Sequence, residues 1–278
     1  MRDPVGDFQA DTAVEGADGR YRAVLSDAWE LWGPAGGYVS SIALRAAGAH
    51  SRFGRPASYA CNYLAVATFA PIDIAVTTIR AAKRSEAIRV TLIQKDEPFL
   101  DATVWTIDEN MHGIEYDAAP MPGVDGPGGL VPWQERDEDN PYWRFWSNIE
   151  ERPLELWEGS WWARPPGEPV REGWCRFRPR GTFEDPFLDA ARSVVLIDTL
   201  GWPAAMMTQA AMPSFVAPTI ELSVRFHRLA PRAEWLFSRV DAPIATDALI
   251  GSTAKIWAQD GTLVASGGQQ MLCRPVPA

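Results

Sequence analysis

The stretch Thr219–Pro231, TIELSVRFHRLAP, alternates apolar Ile220, Leu222, Val224 and Phe226 with polar Glu221, Ser223, Arg225 and His227. A period of two sustained over eight residues is that of an antiparallel strand with one face on a core and the other in water. A run of the same kind, YACNYLAVATFAP, occupies Tyr59–Pro71 and ends on the same Ala-Pro pair, 160 residues earlier. Each pair is followed by two further β-rich segments, joined near Gln94–Pro98 in the first copy and by the Asp260-Gly261 turn in the second. Ahead of each strand run lies a helix candidate. In the first copy Gly36-Gly37 opens YVSSIALRAAG, with Gly48 in the place of a C-terminal glycine; in the second, Ala190–Met207 is apolar almost all round, which predicts a buried helix kinked or ended at Pro203. One helix followed by several antiparallel strands, twice, predicts an α+β plan of two tandem repeats in which each sheet wraps a central helix.

The Pro- and Gly-rich segment Met121–Leu130 and the charged turn at Asp137–Asn140 separate the copies. The expected division is therefore an N-terminal unit over 1–120, a linker over 121–140 and a C-terminal unit over 141–278.

Composition narrows the function classes. With 46% hydrophobic and 22% charged residues in 278, the chain has the makeup of a folded globular protein. Its net charge of −10 repels polyanions, so nucleic acid is a poor partner. There is no apolar leader in Met1–Arg20 and no run of about 18 apolar residues, which argues against secretion and membrane spanning. Three widely spaced cysteines, Cys61, Cys175 and Cys273, fit no metal-ligand pattern and read as reduced thiols in a cytoplasm. No nucleotide-binding, zinc-protease or nucleophile-elbow motif is present, so neither cofactor nor metal is expected. Seven of the 13 tryptophans (Trp133, Trp143, Trp146, Trp157, Trp161, Trp162 and Trp174) crowd one segment and predict large apolar contact surfaces.

Two segments carry a resemblance. TIELSVRFHR (Thr219–Arg228) and LVASGGQQMLCR (Leu263–Arg274) resemble the second half of the acyl-CoA thioesterase II family, the double-hotdog thioesterases; WGPAGGYVSSIAL (Trp32–Leu44) and FLDATVW (Phe99–Trp105) resemble its first half. The resemblance implies a double hotdog, hydrolysis of acyl-CoA thioesters without a cofactor, and a catalytic Asp, Thr and Gln falling on Asp198, Thr219 and Gln269. It also implies association into a dimer or larger oligomer. The chain departs from the family pattern at Met271, where a glycine is common, and in AGGY at the helix opening.

Asp198 stands out on its own account, since its helical neighbours Val194, Val195, Gly201 and Trp202 put a carboxylate on an apolar face, where it needs donors or a raised pKa. A backbone turn near Pro203 satisfying the same group is the plainer alternative. Gln269 shares a strand face with Leu263, Ala265 and Met271, and Thr219 opens a strand after Pro218. Each has an ordinary structural reading alone; together they offer one acceptor and two donors. The first copy has no acid between Gly33 and His50 and is read as a lid and wall, its Gly36 and Gly37 N–H groups offered to a thioester oxygen. Val195, Met206 and Met207 are expected along the acyl tunnel, and Arg80, Lys83, Arg84, Arg225 and Arg228 are candidates for the phosphates of coenzyme A. Two rival functions share the scaffold: a silent acyl-CoA-binding protein, and a hotdog hydratase or dehydratase, which would want a His paired with the acid.

Overall fold

The computed structural model describes residues 1–135, 140–155, 165–210 and 215–275. The charged turn at 137–139 and Trp157, Trp161 and Trp162 lie outside them. Helices α1 (Phe8–Asp11), α2 (Gly36–His50), α3 (Trp143–Ser147) and α4 (Pro186–Met206) alternate with fourteen strands among the described residues. The first half contributes β1 (Glu15–Ala17), β2 (Arg20–Val24), β3 (Arg55–Tyr63), β4 (Pro71–Ala81), β5 (Ser85–Gln94) and β6 (Glu97–Ile107). The second contributes β7 (Ile149–Pro153), β8 (Val170–Phe177), β9 (Phe215–Val216), β10 (Thr219–Phe226), β11 (Leu236–Thr246), β12 (Leu249–Ala258), β13 (Leu263–Leu272) and β14 (Arg274–Pro275).

Twelve of these form one antiparallel sheet in the order β1-β2-β4-β5-β6-β3-β10-β13-β12-β11-β8-β7. The two halves meet at β3 and β10, the quoted strands, where Leu222 faces Cys61 and Val224 faces Tyr59. This is the double-hotdog arrangement, two helices on one face of a sheet that runs through both repeats. Within this sheet three strands follow each Ala-Pro pair, one more than the sequence predicts. The reason is turn chemistry: Asp247-Ala248 takes positive φ, the conformation of a tight type I′ hairpin, and residues 82–84 join β4 to β5 with Ala82 N–H donating to Ser85 O at 2.9 Å, both without the glycine that announces a turn; Lys95-Asp96, also at positive φ, turns the chain where the sequence predicts a join.

The helices are held closer than ordinary side chains allow. A Cβ on Gly37 would stand 2.6 Å from Val195 Cα, and one on Gly48 would meet the Phe187 ring at 2.5 Å. These two contacts run in opposite directions along α2 and α4, so the helices are antiparallel. Gly48 is thus a packing glycine rather than a terminator, and α2 continues past it to His50. Helix α4 starts four residues before the predicted Ala190, because Asp185 caps Phe187 and Leu188 N–H groups and Pro186 takes the first turn. Pro203 does not end it: the helix runs on to Met206, and the last turn closes through short i to i−3 bonds such as Met207 N–H to Ala204 O at 3.1 Å.

Strand alternation places Trp174, Phe237 and Trp257, cross-strand neighbours on β8, β11 and β12, on the face away from the helices. With Trp235 they form a second apolar cluster, covered by Met121, Val124 and Leu130 of the segment between the repeats. Two indoles pin that segment down: Trp174 Nε1–H donates to Asp125 O and Trp257 Nε1–H to Ala119 O, both at 2.9 Å. No helix among the described residues is long and apolar enough to cross a membrane.

Candidate active site

Asp198 sits in the middle third of α4 and is buried, 8% exposed. The antiparallel approach of the helices brings its carboxylate to the N-terminus of α2, where Gly37 N–H donates to Oδ2 at 2.6 Å. Helix α2 has no capping side chain of its own at Ala35, so Asp198, 161 residues away, serves as its cap. A Cβ on Gly36 would lie 2.8 Å from Oδ2, which is why a residue with a side chain does not fit beside the acid.

Thr219 reaches the acid through an irregularity. Strict alternation along β10 would put it on the outer face with Glu221 and Ser223. The register with β13 shifts between Thr219 and Glu221, and this bulge sets Thr219 opposite Met271, whose side chain is buried inward. Its Oγ1–H then lies 2.9 Å from Asp198 Oδ1 and 2.8 Å from Gln269 Oε1. Gln269, 4% exposed on the inner face of β13, donates Nε2–H to the Asp198 carbonyl at 2.8 Å. That contact requires the NH₂ and fixes the amide so that its oxygen faces Thr219. Gly201, one turn after Asp198, leaves room for it: a Cβ there would fall 1.9 Å from Nε2.

One hydroxyl proton thus has two acceptors. When Asp198 is ionised, Thr219 donates to it; when Asp198 is protonated, the acid donates to Thr219 and Thr219 to Gln269. Both charge states are accommodated without moving a side chain. Burial pushes the Asp198 pKa up to about 6, against the lowering effect of the Thr219 hydroxyl and the Gly37 amide. A carboxyl group held near neutrality beside a cavity has the properties of a general base.

That cavity, about 480 Å³, is lined by Asp198 and Thr219 together with Gly36, Tyr63 and aromatic side chains including Trp133 and Trp202. Thr199, Trp202 and Pro203 form its α4 wall. Val195, Met206 and Met207, expected there, are absent from the lining; Val195 packs on Gly37 and the two methionines are buried in the core. Of the two glycines expected to meet a substrate oxygen, Gly37 has its N–H engaged by Asp198, while Gly36 borders the cavity. His227 accepts or donates a bond with Ser266 Oγ at 2.8 Å on the outer side, and Arg228 pairs with Asp117 at 3.3 Å; neither lines the cavity. Sequence reasoning missed Tyr63. Its signal was the inward alternation of Tyr59 and Cys61 along the same strand.

The chain belongs to the acyl-CoA thioesterase family: residues 118–273 match the model of the acyl-CoA thioesterase C-terminal domain and residues 25–107 that of the N-terminal domain. The fold is similar to that of a hot dog fold protein of unknown function from Alicyclobacillus acidocaldarius (TM-score 0.81, 21% identity, 98% of each chain covered). It is also similar to the tesB protein of Mycobacterium avium subs paratuberculosis (TM-score 0.78, 22% identity, 98% of this chain and 99% of that one). An acyl-CoA thioesterase II, TesB2, from Mycobacterium marinum gives a TM-score of 0.76 at 21% identity over 97% of this chain and 99% of that one. No curated protein matches the chain by sequence.

Proposed function

We propose that the protein hydrolyses acyl-CoA thioesters to the free acid and coenzyme A, with Asp198 as general base. The observation that carries the reading is the convergence on one carboxylate of the Thr219 hydroxyl at 2.9 Å and the Gly37 amide at 2.6 Å, beside a largely apolar cavity. In this reading a water held by Asp198 and Thr219 attacks the thioester carbonyl carbon and passes its proton to the carboxylate. The carbonyl electrons move to oxygen, where a backbone N–H of Gly36 meets the growing charge. When the carbonyl reforms, the C–S bond breaks and the Asp198 proton goes to the departing sulfur. A thiolate leaves readily, so a covalent nucleophile is unnecessary.

Gln269 acts indirectly. It holds the Asp198 backbone and accepts the hydrogen bond of the Thr219 hydroxyl whenever the acid is protonated, so the hydroxyl remains in place throughout the cycle. The test is release of free thiol from a panel of acyl-CoAs of graded chain length. Thiol release by the wild-type protein supports hydrolysis; tight binding of the same compounds without release identifies a silent binding protein.

A further inference from the structure

The first repeat brings a side chain as well as a wall to the cavity. Tyr63, the last residue of β3, lines the same cavity as Asp198 and Thr219. The space left by the missing side chain of Gly36 is flanked on one side by Asp198 Oδ2, at 2.8 Å from where a Cβ would stand, and on the other by Tyr63 Cζ, at 3.1 Å. The hydroxyl-bearing carbon of the ring and the carboxylate therefore border one small volume. No atom fits in that gap itself, but both groups line the adjoining cavity, and a carbonyl group in the cavity beside Gly36 has the acid on one side and the phenol on the other.

Resting on the hydrolytic reading above, we propose that the Tyr63 hydroxyl donates a hydrogen bond to the carbonyl oxygen of the thioester and to the oxyanion that replaces it. The expected second backbone donor, Gly37 N–H, is occupied by Asp198, so a side-chain donor completes the pair that such an oxygen needs. The phenol is fixed from behind. Tyr63 Oη lies 2.7 Å from Ser40 Oγ, a fully buried hydroxyl one helical turn beyond Gly36, and Ser40 Oγ lies 3.6 Å from the buried Cys61 Sγ. A thiol can start this row as a donor to Ser40; Ser40 then donates to Tyr63, and the Tyr63 proton is left to point into the cavity. Burial and the Asp198 charge both raise the Tyr63 pKa, which keeps the group a neutral donor. The phenol forms a hydrogen bond and transfers no proton: water loses its proton to Asp198, the carbonyl electron pair is stabilised on oxygen, and the sulfur leaves with the Asp198 proton.

The experiment uses Tyr63→Phe, which keeps the ring, in two measurements. In the first, kcat falls about 10- to 10²-fold with KM changed little, because the bond strengthens as charge develops. In the second, a ketone analogue of an acyl-CoA, with methylene in place of the thioester sulfur and a ¹³C-labelled carbonyl, is bound and its infrared stretch recorded. The stretch lies at lower wavenumber on the wild type than on Tyr63→Phe. Should Tyr63→Phe not fold, Ser40→Ala takes its place and reduces the displacement. An identical stretch on wild type and variant, or unchanged kcat, overturns the proposal. A displaced stretch on a wild type that releases no thiol overturns the hydrolytic reading and leaves the Tyr63 contact standing.

Discussion

The amide of Gly37 and the carboxylate of Asp198, one from each repeat, meet at 2.6 Å across the closest approach of the two central helices. The bond joins a helix N-terminus, where the backbone dipole is positive, to a buried negative charge. It ties the acid's position to helix packing, and with Thr219 it opposes the desolvation that drives the Asp198 pKa upward.

With Asp198 as the proposed base, activity is expected to follow its ionisation. A general base works only when deprotonated, so kcat/KM rises with pH through about 6 and then levels. The Thr219 hydroxyl lowers that pKa, so Thr219→Val moves the midpoint upward as well as reducing the plateau. Rate profiles of the two proteins from pH 4.5 to 9 (a range of about ±2 units around the group) check this. A midpoint that stays put in Thr219→Val rules the hydroxyl out of the acid's environment.

The same pKa sets a stability cost. The folded-state value lies above the usual carboxyl value, so the folded chain binds the proton more tightly, and the stabilisation present at low pH is lost as pH rises toward 6. Above that, the ionised acid costs roughly 3 kcal/mol, two units at about 1.4 kcal/mol each. Asp198→Asn escapes this cost and forfeits a charged acceptor for Gly37 N–H. Thermal melts at pH 5 and pH 8 (about one unit below and two above the group) are expected to favour the variant more at the higher pH. A variant less stable at pH 8 than at pH 5, relative to wild type, contradicts the sign.

Gly201 holds open the place of Gln269. A Cβ there would lie 1.9 Å from Gln269 Nε2 and 2.8 Å from Ser252 Oγ. Alanine favours a helix by about 1 kcal/mol over glycine, yet Gly201→Ala must push the amide off the Asp198 carbonyl. Turnover falls about tenfold or more, in the range for losing one oriented group. Kinetics of Gly201→Ala with a melt alongside separate loss of chemistry from loss of fold.

The segment between the repeats is fastened by two indoles. Trp174→Phe and Trp257→Phe each delete one hydrogen bond to its carbonyls and keep an aromatic ring. Each variant loses about 1 kcal/mol, and limited proteolysis between 110 and 131 accelerates. Unchanged cleavage in both variants would mean that the segment is held by packing alone.

The fold was largely legible because its two deciding strands alternate so regularly, and because Gly36-Gly37 and the apolar run ahead of Asp198 mark the helices. What escaped was written in positions where residue type is a poor guide. Asp247-Ala248 and residues 82–84 turn the chain without glycine. Gly48 looked like a helix end and is a contact with Phe187. β7 and β8 preceding α4 were not predicted, since their buried Glu150, Glu151 and Arg171 give no apolar alternation.

The site was legible in part. Asp198 showed itself by helical spacing, and Thr219 and Gln269 came with the family resemblance. The cross-repeat bond from Gly37 could not be read from spacing, because the helix crossing that makes it depends on small residues far apart in the chain. The alternation of β10 even points Thr219 the wrong way; only the bulge beside it turns the hydroxyl inward.

The most direct measurement is thiol release from acyl-CoAs by Asp198→Asn at pH 8, beside the wild type at the same protein concentration. The account predicts turnover at least 10²-fold lower in a variant that folds and still binds the substrate. Wild-type turnover by Asp198→Asn on every acyl-CoA that the protein cleaves would contradict it.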